Sequence, residues 1–376
     1  MTAAADQSPK TPFYQALELS NKTWKLGFSN GETIRIKTLE ARDLPALREQ
    51  IEIAKGKLGL SADCVIESVY EAGRDGFWIH RTLESWGIHS CVVDSASIEV
   101  NRKKRRVKTD RVDVEALLVQ LMRYLGGEEK ALAVVIVPSA EAEDRMRLNR
   151  ERERLIRERG AHSSRIKSLF IAQGLVIERL NDTVIDTLDH LCTATGEPLG
   201  ADLKEEIRRE YQRYCLADEQ IRAIEQEQKR RVEQATDVSH QQVARMLEIK
   251  GIGWVSSWIL VMEFFSWRGF RNRQQLAACA GLTDPTPYAS GDDERDQGIS
   301  KAGNRRIRAL MVELSWLWLR YQPDSALSCW YRERFAKGGK RMRRIGIVAL
   351  ARNLLIDLWR YLEQGEIPDG TVLKAG

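Results

Sequence analysis

Four carboxylates in the first third of the chain have the types and spacing for metal-assisted phosphate chemistry: Glu18, Glu71, Asp110 and Asp113. Mg²⁺ is a hard cation that takes oxygen ligands, commonly a few carboxylates together with phosphate and water. Two such ions ~3.5–4 Å apart can flank the attacking and leaving oxygens of a phosphodiester. Asp110 and Asp113, in "VKTDRVDVEALL", stand three residues apart, so on a helix they share a face. They follow directly on the basic run "NRKKRR", in which Arg102, Lys103, Lys104, Arg105 and Arg106, with Lys108 beyond, are the expected phosphate contacts. The cations would draw a polyanion in, and the acids would hold the ion that acts on its phosphate. Each residue also has an ordinary alternative. A strand Glu can face solvent, an Asp in the first turn of a helix complements the macrodipole, Glu71 can be a turn residue with Glu67 as its competitor, and a basic run can be a solvated face.

Period-two alternation positions the first of these acids. Leu17 and Leu19 flank Glu18, Trp24, Leu26 and Phe28 follow, and Ile34 and Ile36 come after "SNGE", which reads as a three-stranded meander with Asn30-Gly31 as a two-residue hairpin turn. Glu18 then falls at the middle of the first strand, on the opposite side from both leucines. A helix near 43–57, a strand "DCVIESVY", a helix "DGFWIHRTLESWG" and a strand "HSCVVDS" come next, then a helix with Thr109 as N-cap and a strand "ALAVVIV". Glu71 lies just past the fourth strand. The order βββαβαβα is that of the ribonuclease-H-like (RuvC-type) α/β fold, assigned to a domain over 1–140, in which the first and fourth strands are neighbours.

From 141 to 240 the composition turns to Glu, Arg, Lys and Gln, with Leu148, Leu155, Leu169 and Val176 at multiples of seven and Ile207, Tyr214 and Ile221 at the same interval. Two helices separated by a looser stretch, 174–202, predict an antiparallel coiled coil or an assembly arm, interrupted by polar His162; a charged helical hairpin within one chain fits the same residues. From 241 to 376 the chain is apolar and helical again. "LEIKGIGWVSSWILVMEF" has the shape of a helix-hairpin-helix, in which Gly251 and Gly253 permit a tight turn whose N–H groups can face a phosphate, although a buried turn uses the same letters. Helices are expected near 302–320 and 341–363, joined by a loop with Pro323 and Gly338-Gly339, and the run 337–344 is basic.

Bulk composition narrows the classes. With 376 residues, 43% apolar, the chain has room for two or three domains, and a net charge of +5 spread unevenly suggests local patches. The six cysteines lack CxxC or Cys/His spacing, which argues against zinc and for a reducing compartment. "MTAAADQSPKTPF" shows no secretory pattern, and the longest apolar stretch, "GWVSSWILVMEFFSW", is broken by Glu263 and too short to span a bilayer. The expectation is a cytoplasmic, nucleoid-associated protein with no membrane partner.

Four segments carry a family likeness. "ALELSNKTWKL", "YEAGRDGFWIHRTLESWGI", "VVDSASIEVNRKKRRVKTDRVDVEALL" and "LTDPTPYASGDDERDQGISKAGNRRIRAL" resemble the DEDD transposases of bacterial insertion sequences, relatives of the Piv DNA invertase now described as bridge-RNA-guided recombinases. The resemblance implies an N-terminal RuvC-type domain with four acids binding Mg²⁺, or Mn²⁺, here Glu18, Glu71, Asp110 and Asp113. It implies a mostly α-helical C-terminal transposase domain with a serine nucleophile, here Ser290 in "PYASG", with Tyr288 as the competing nucleophile. Lys301, Arg305 and Arg306 would then contact phosphate. The partners implied are double-stranded donor and target DNA, a noncoding guide RNA, and further copies of the chain in a dimer or tetramer assembled through the coil. Two departures stand out: Glu18 replaces the family's usual Asp, and an acidic cluster, Asp292, Asp293, Glu294 and Asp296, follows Ser290. A metal-dependent nuclease of the junction-resolvase type would use the same carboxylates with water in place of Ser290. A silent nucleic-acid-binding or assembly protein is the third reading.

Overall fold

A computed structural model describes residues 12–94, 110–235, 237–283, 288–290, 293–295 and 303–374. The chain divides into two units, Met1–Val137 and Pro138–Gly376.

In the first unit the meander is β1 (Phe13–Leu19), β2 (Thr23–Ser29) and β3 (Ile34–Glu40), followed by helix α1 (Leu44–Lys57), β4 (Ile66–Glu71), α2 (Trp78–Ser85), β5 (His89–Val93) and α3 (Asp110–Leu125). The strands form one mixed sheet in the order β3-β2-β1-β4-β5, with β1 antiparallel to β2 and parallel to β4. Alternation gives the sheet two apolar faces. Phe13, Leu17, Ile66 and Tyr70 pack with Leu47 and Ile51 of α1 and Ile79 and Leu83 of α2. Ala16 and Val69 pack on the other side, against Val114, Leu117, Leu118 and Leu121 of α3, a stripe at helical spacing. Fully burying each such leucine contributes roughly 1.5–3 kcal/mol, so α3 is tied to the sheet by several of them. Gly27, opposite Ala16 in the ladder, makes the approach possible: a methyl there would overlap Val114 Cγ1 and stand 2.8 Å from Leu118 Cδ1.

Two local expectations are corrected. The Asn30-Gly31 hairpin closes through four residues, because Ser29 pairs with Ile34 and the Asn30 carboxamide oxygen accepts N–H bonds from Glu32 and Thr33 at 3.1 and 2.9 Å. This side-chain turn needs positive φ only at Gly31, at 96°. "ALAVVIV" is not a regular strand. Leu132 is drawn under α3, and what remains is one antiparallel bridge from Val134 to Val93, flanked by the bonds from Val135 N–H to Val92 O at 2.7 Å and from Asp94 N–H to Ala133 O at 3.0 Å. Val134 and Ile136 stay exposed, so no apolar layer rewards further pairing.

The second unit is helical: α4 (Ala140–Arg145), α5 (Arg147–Ile171), α6 (Asp182–Asp186), α7 (Ala201–Gln234), α8 (Val238–Glu248), α9 (Trp254–Leu260) and α10 (Arg273–Ala280). A two-stranded hairpin, β6 (Tyr288–Ser290) and β7 (Asp293–Arg295), precedes α11 (Arg305–Tyr321), α12 (Ala326–Tyr331) and α13 (Lys340–Gln364). Trp258, Met262, Phe264, Leu276, Met311, Trp318 and Leu354 centre its main core. Helices α5 and α7 form an antiparallel hairpin within the chain. Leu155, Ile166, Ile207 and Ile221 are buried in it, and a ladder of ion pairs runs alongside: Arg165 and His162 on Glu210, Arg159 on Asp218, Arg152 on Glu225. The heptad reading overreached at its ends. Gly174, at φ 78°, lies beyond the end of α5 and Val176 past it is 85% exposed, while Leu148 packs on the main core. Among the described residues no helix is long and apolar enough to cross a membrane.

Candidate active site

Glu18 and Glu71 are brought together by the parallel pairing of β1 and β4. The last registered couple is Leu17 with Tyr70, so the two glutamates stand one step further on, at the carboxyl ends of adjacent strands. Alternation puts them on the face that carries Ala16 and Val69, the face covered by α3. Glu18 is thus near the end of β1 rather than at its middle, and Glu71 is the last residue of β4. Both line an open cavity of about 360 Å³ with Ser20, Asn21, Arg74 and Asp75. Tyr70, on the opposite face, fixes the rim: its hydroxyl donates to Gly76 O at 3.1 Å and accepts from His80 N–H at 3.3 Å, and burial pushes its pKa up to about 12. Asp75 is held by Arg42 at 3.1 Å. Arg74 and Asp75 were not singled out in the sequence, although "GRDG" directly after Glu71 marks the turn that carries them.

Asp110 is the first residue of α3 and Asp113 the fourth, both at helical spacing from the buried stripe of Val114, Leu117 and Leu118. Asp113 is half-buried. Among the described residues no three acidic, imidazole or thiol side chains come close enough to share a metal ion. The donor set fits a hard cation in chemistry, with two carboxylates at one cavity and two more at the start of the helix lying over the same sheet face.

Ser290 closes β6, where it pairs with Asp293, and Tyr288 pairs with Arg295. Asp293 and Glu294 of the acidic cluster therefore form part of β7, while Asp292, Asp296 and Lys301 lie outside the described residues. The segment holding this hairpin leaves and returns through one neck. Helix α10 ends at Gly281 in the left-handed conformation, φ 69°. The chain comes back at Gly303, φ 82°, where a methyl would stand 2.5 Å from Gly281 N and 2.8 Å from the carbonyl oxygens of Ala278 and Cys279. Asn304 N–H donates to Cys279 O at 2.7 Å, and its side chain caps α11 by accepting from Arg306 and Ile307 N–H. An open cavity beside the neck is lined by Glu153, Asn304, Arg305, Arg306 and Glu313.

The cations sort into distinct settings. Arg102, Lys103, Lys104, Arg105, Arg106 and Lys108 lie outside the described residues. Arg305 is exposed at the start of α11. Arg306 is engaged by protein: its guanidinium forks onto Glu153 at 2.6–3.0 Å and reaches Glu263 at 3.5 Å. Glu263 is buried in a π-helical turn after α9, and Arg150 of α5 binds both its oxygens at 2.9 and 2.7 Å. The α8–α9 turn has one packed and one open glycine. Gly251, φ 92°, sits against Tyr321, where a methyl would come to 2.9 Å, whereas Gly253 faces open space. The C-terminal strand of chain braces this turn through Lys250 N–H to Val372 O at 3.2 Å and Lys374 Nζ to Leu247 O and Ile252 O at 2.6 and 3.0 Å.

The profile of the family described as "Transposase IS116/IS110/IS902 family" matches residues 243–331, which span α8 through α12 and include the neck. The y4rJ protein of Sinorhizobium fredii, named provisionally as a transposase, is 39% identical over 99% of each chain. The transposase for insertion sequence element IS1111A of Coxiella burnetii is 25% identical, covering 82% of this chain and 79% of that one. The transposase for insertion sequence element IS1328 of Yersinia enterocolitica is 26% identical over 69% and 73%. Near-complete coverage at 39% identity, together with the matched segment around the Gly303 neck, places this chain in the IS116/IS110/IS902 family of transposases.

Proposed function

We propose that the chain cuts and rejoins DNA through Ser290, with Glu18, Glu71, Asp110 and Asp113 holding Mg²⁺ or Mn²⁺ on a ribonuclease-H-like sheet. The observation that carries this reading is the meeting of Glu18 and Glu71 at one cavity, on the sheet face over which the helix beginning with Asp110 is packed. The strand order β3-β2-β1-β4-β5 supports the ribonuclease-H-like assignment. When bound, the divalent ion supplies positive charge at the phosphate and lowers the pKa of a coordinated hydroxyl. The residues do the rest. Arg74, at the rim of the same cavity, adds a cation to a site of negative charge and helps it accept a phosphodiester. The Ser290 hydroxyl gives up its proton as its oxygen attacks phosphorus, one ester oxygen of the DNA leaves and takes up a proton, and the phosphoserine ester so formed retains the bond energy. Attack by a hydroxyl of another strand on that ester releases Ser290 and reseals DNA. A noncoding RNA pairs with donor and target and selects them, and the α5–α7 hairpin serves assembly into a dimer or tetramer.

Denaturing electrophoresis after incubation with DNA of the element's ends and Mg²⁺ tests the proposal. A protein–DNA adduct is expected from the wild-type chain and not from Ser290→Ala or Asp110→Asn. An adduct that persists in Ser290→Ala removes Ser290 from the reaction. Cleavage that survives Ser290→Ala and is lost in Asp110→Asn selects the water-using nuclease instead.

A further inference from the structure

The basic run at 337–344 belongs to a larger exposed surface. Between 332 and 344 stand seven Lys or Arg residues, at 332, 334, 337, 340, 341, 343 and 344, against one acid, Glu333. All seven are exposed. The π-helical turn Arg332–Ala336 and the first turns of α13 supply six of them, and Lys337 caps the end of the former. Gly346 lets these elements close on each other, because the Phe335 ring lies where a side chain on Gly346 would be, with Trp330 and Tyr331 packed around it at 5.3 and 6.0 Å. Tyr331 is buried and Trp330 and Phe335 are half-buried against it, while the cations are exposed.

Arrangement and partnering both point to a surface suited to an anionic partner. Elsewhere in the chain arginines find carboxylates readily: Arg152, Arg159 and Arg165 in the coiled hairpin, and Arg150 and Arg306 at Glu263 and Glu153, are all paired. Among the described residues Arg334, Lys337, Lys340, Arg343 and Arg344 form no ion pair. Their position is also opposed by the helix itself. The N-terminus of a helix carries roughly half a positive charge and favours acids by ~0.3–1 kcal/mol each, yet the first turn of α13 has no acid and its N-cap, Gly339, provides no side-chain bond. The fold thus tolerates a repulsive cluster at a place where local stability would prefer the reverse.

We propose that this surface, centred on Lys340, Arg343 and Arg344, docks the phosphate backbone of double-helical DNA. The proposal rests on the reading of the chain as a DNA recombinase and adds a binding surface made of residues other than the carboxylates, the 102–108 run and the Ser290 segment. Duplex DNA fits better than single-stranded nucleic acid, because single strands are held by exposed aromatic platforms on which bases stack, and the rings here are half-buried or buried and packed on one another. Contacts of this kind neutralise phosphates without reading sequence.

The test is fluorescence-anisotropy titration of the full chain with a 30-base-pair duplex, about the length needed to cover several phosphates on either side, at increasing salt. The triple variant Lys340→Glu/Arg343→Glu/Arg344→Glu is expected to bind about 10- to 100-fold more weakly at moderate salt, with a log K against log salt slope shallower by about 2–3. Unfolding cannot mimic this result, since glutamates near the start of α13 complement its dipole and the melting temperature is expected to hold or rise. Arg343→Lys/Arg344→Lys, which keeps charge, is expected to bind as wild type. Unchanged affinity and slope in the triple variant overturn the proposal. So does a loss seen with the element's noncoding RNA while duplex binding is intact. Ser290→Ala should bind normally throughout, so a failure of the serine chemistry leaves this result readable.

Discussion

Gly303 has no room for a methyl group, and its φ of 82° lies where only glycine is unstrained. Alanine there would add roughly 1–2 kcal/mol of backbone strain and press on the end of α10, opening the neck through which the Ser290 hairpin is attached. The expected outcome for Gly303→Ala is adduct formation slowed by tenfold or more in single-turnover assays, with duplex affinity within a factor of two or three; equal loss of both would mean the variant is simply misfolded. Glu18 invites the opposite change. If it donates to a cation, Glu18→Gln should reduce cleavage by ~10²–10³, the scale of losing one charge-stabilising group, while Glu18→Asp, which shortens the arm but keeps the charge, should stay within about tenfold of wild type. A Glu18→Gln variant as active as wild type would remove this residue from the site. The neighbouring placement of Glu18 and Glu71 was legible in the sequence, because alternation fixes the side of β1 and the element order pairs β1 with β4, although Glu71 ends β4 instead of following it. The role of Gly303 was not, since a crowded glycine and a turn glycine are the same letter until the neighbouring helix end is in place. Arg306 carries the same lesson: one letter serves a phosphate contact and a fork on Glu153 equally well.

At the level of elements, the α5–α7 hairpin keeps one carboxylate at a buried position. Glu210 is buried; burial raises its pKa, but bonds from the His162 ring and Arg165 outweigh that and hold it below the ordinary carboxylate value. A group depressed in the fold contributes stability above its unfolded pKa and loses it as pH falls through the folded value. The hairpin should therefore loosen below about pH 4.5, the ordinary Glu value. Glu210→Gln should lower the melting temperature near neutral pH, by a change of about 1–3 kcal/mol typical of bonds to a charged group, and flatten the acid dependence. Melts of both proteins from pH 3 to 7 decide this, and parallel acid curves would refute it. Gly27→Ala is the corresponding test for the sheet: overpacking of Val114 and Leu118 should cost about 1–3 kcal/mol and shift α3, with Asp110 and Asp113 on it, relative to Glu18 and Glu71. The long elements were legible from periodicity alone. The β6–β7 hairpin was missed because three-residue strands around "GDD" show neither alternation nor a strong turn pair, and the last strand was overcalled because "ALAVVIV" has the right letters but lacks a layer to cover it.

On the scale of the whole molecule, the acids and the serine belong to different units, and composition only hinted at such a division through the charged stretch after residue 140. The proposed chemistry needs both at one phosphodiester, so an independent test for a bound cation is worth more than another activity assay. A ligand that binds the folded state stabilises it by RT ln(1 + [L]/Kd), about 1.4 kcal/mol at tenfold excess over Kd. Hydrogen exchange of the full chain with and without Mn²⁺ can assign that stabilisation to segments. Protection should rise in β1, β4 and the first turns of α3, where Glu18, Glu71, Asp110 and Asp113 are carried. It should not rise in the α5–α7 hairpin or in the π-helical turn after α9, whose buried carboxylates, Glu210 and Glu263, already have arginines as counterions. The gain should vanish in Asp110→Asn/Asp113→Asn while the exchange pattern without metal stays unchanged. Protection appearing instead across the second unit, or nowhere, would place the cation elsewhere and leave the β1–β4 cavity as a docking groove for phosphate, with Arg74 rather than an ion as its positive charge.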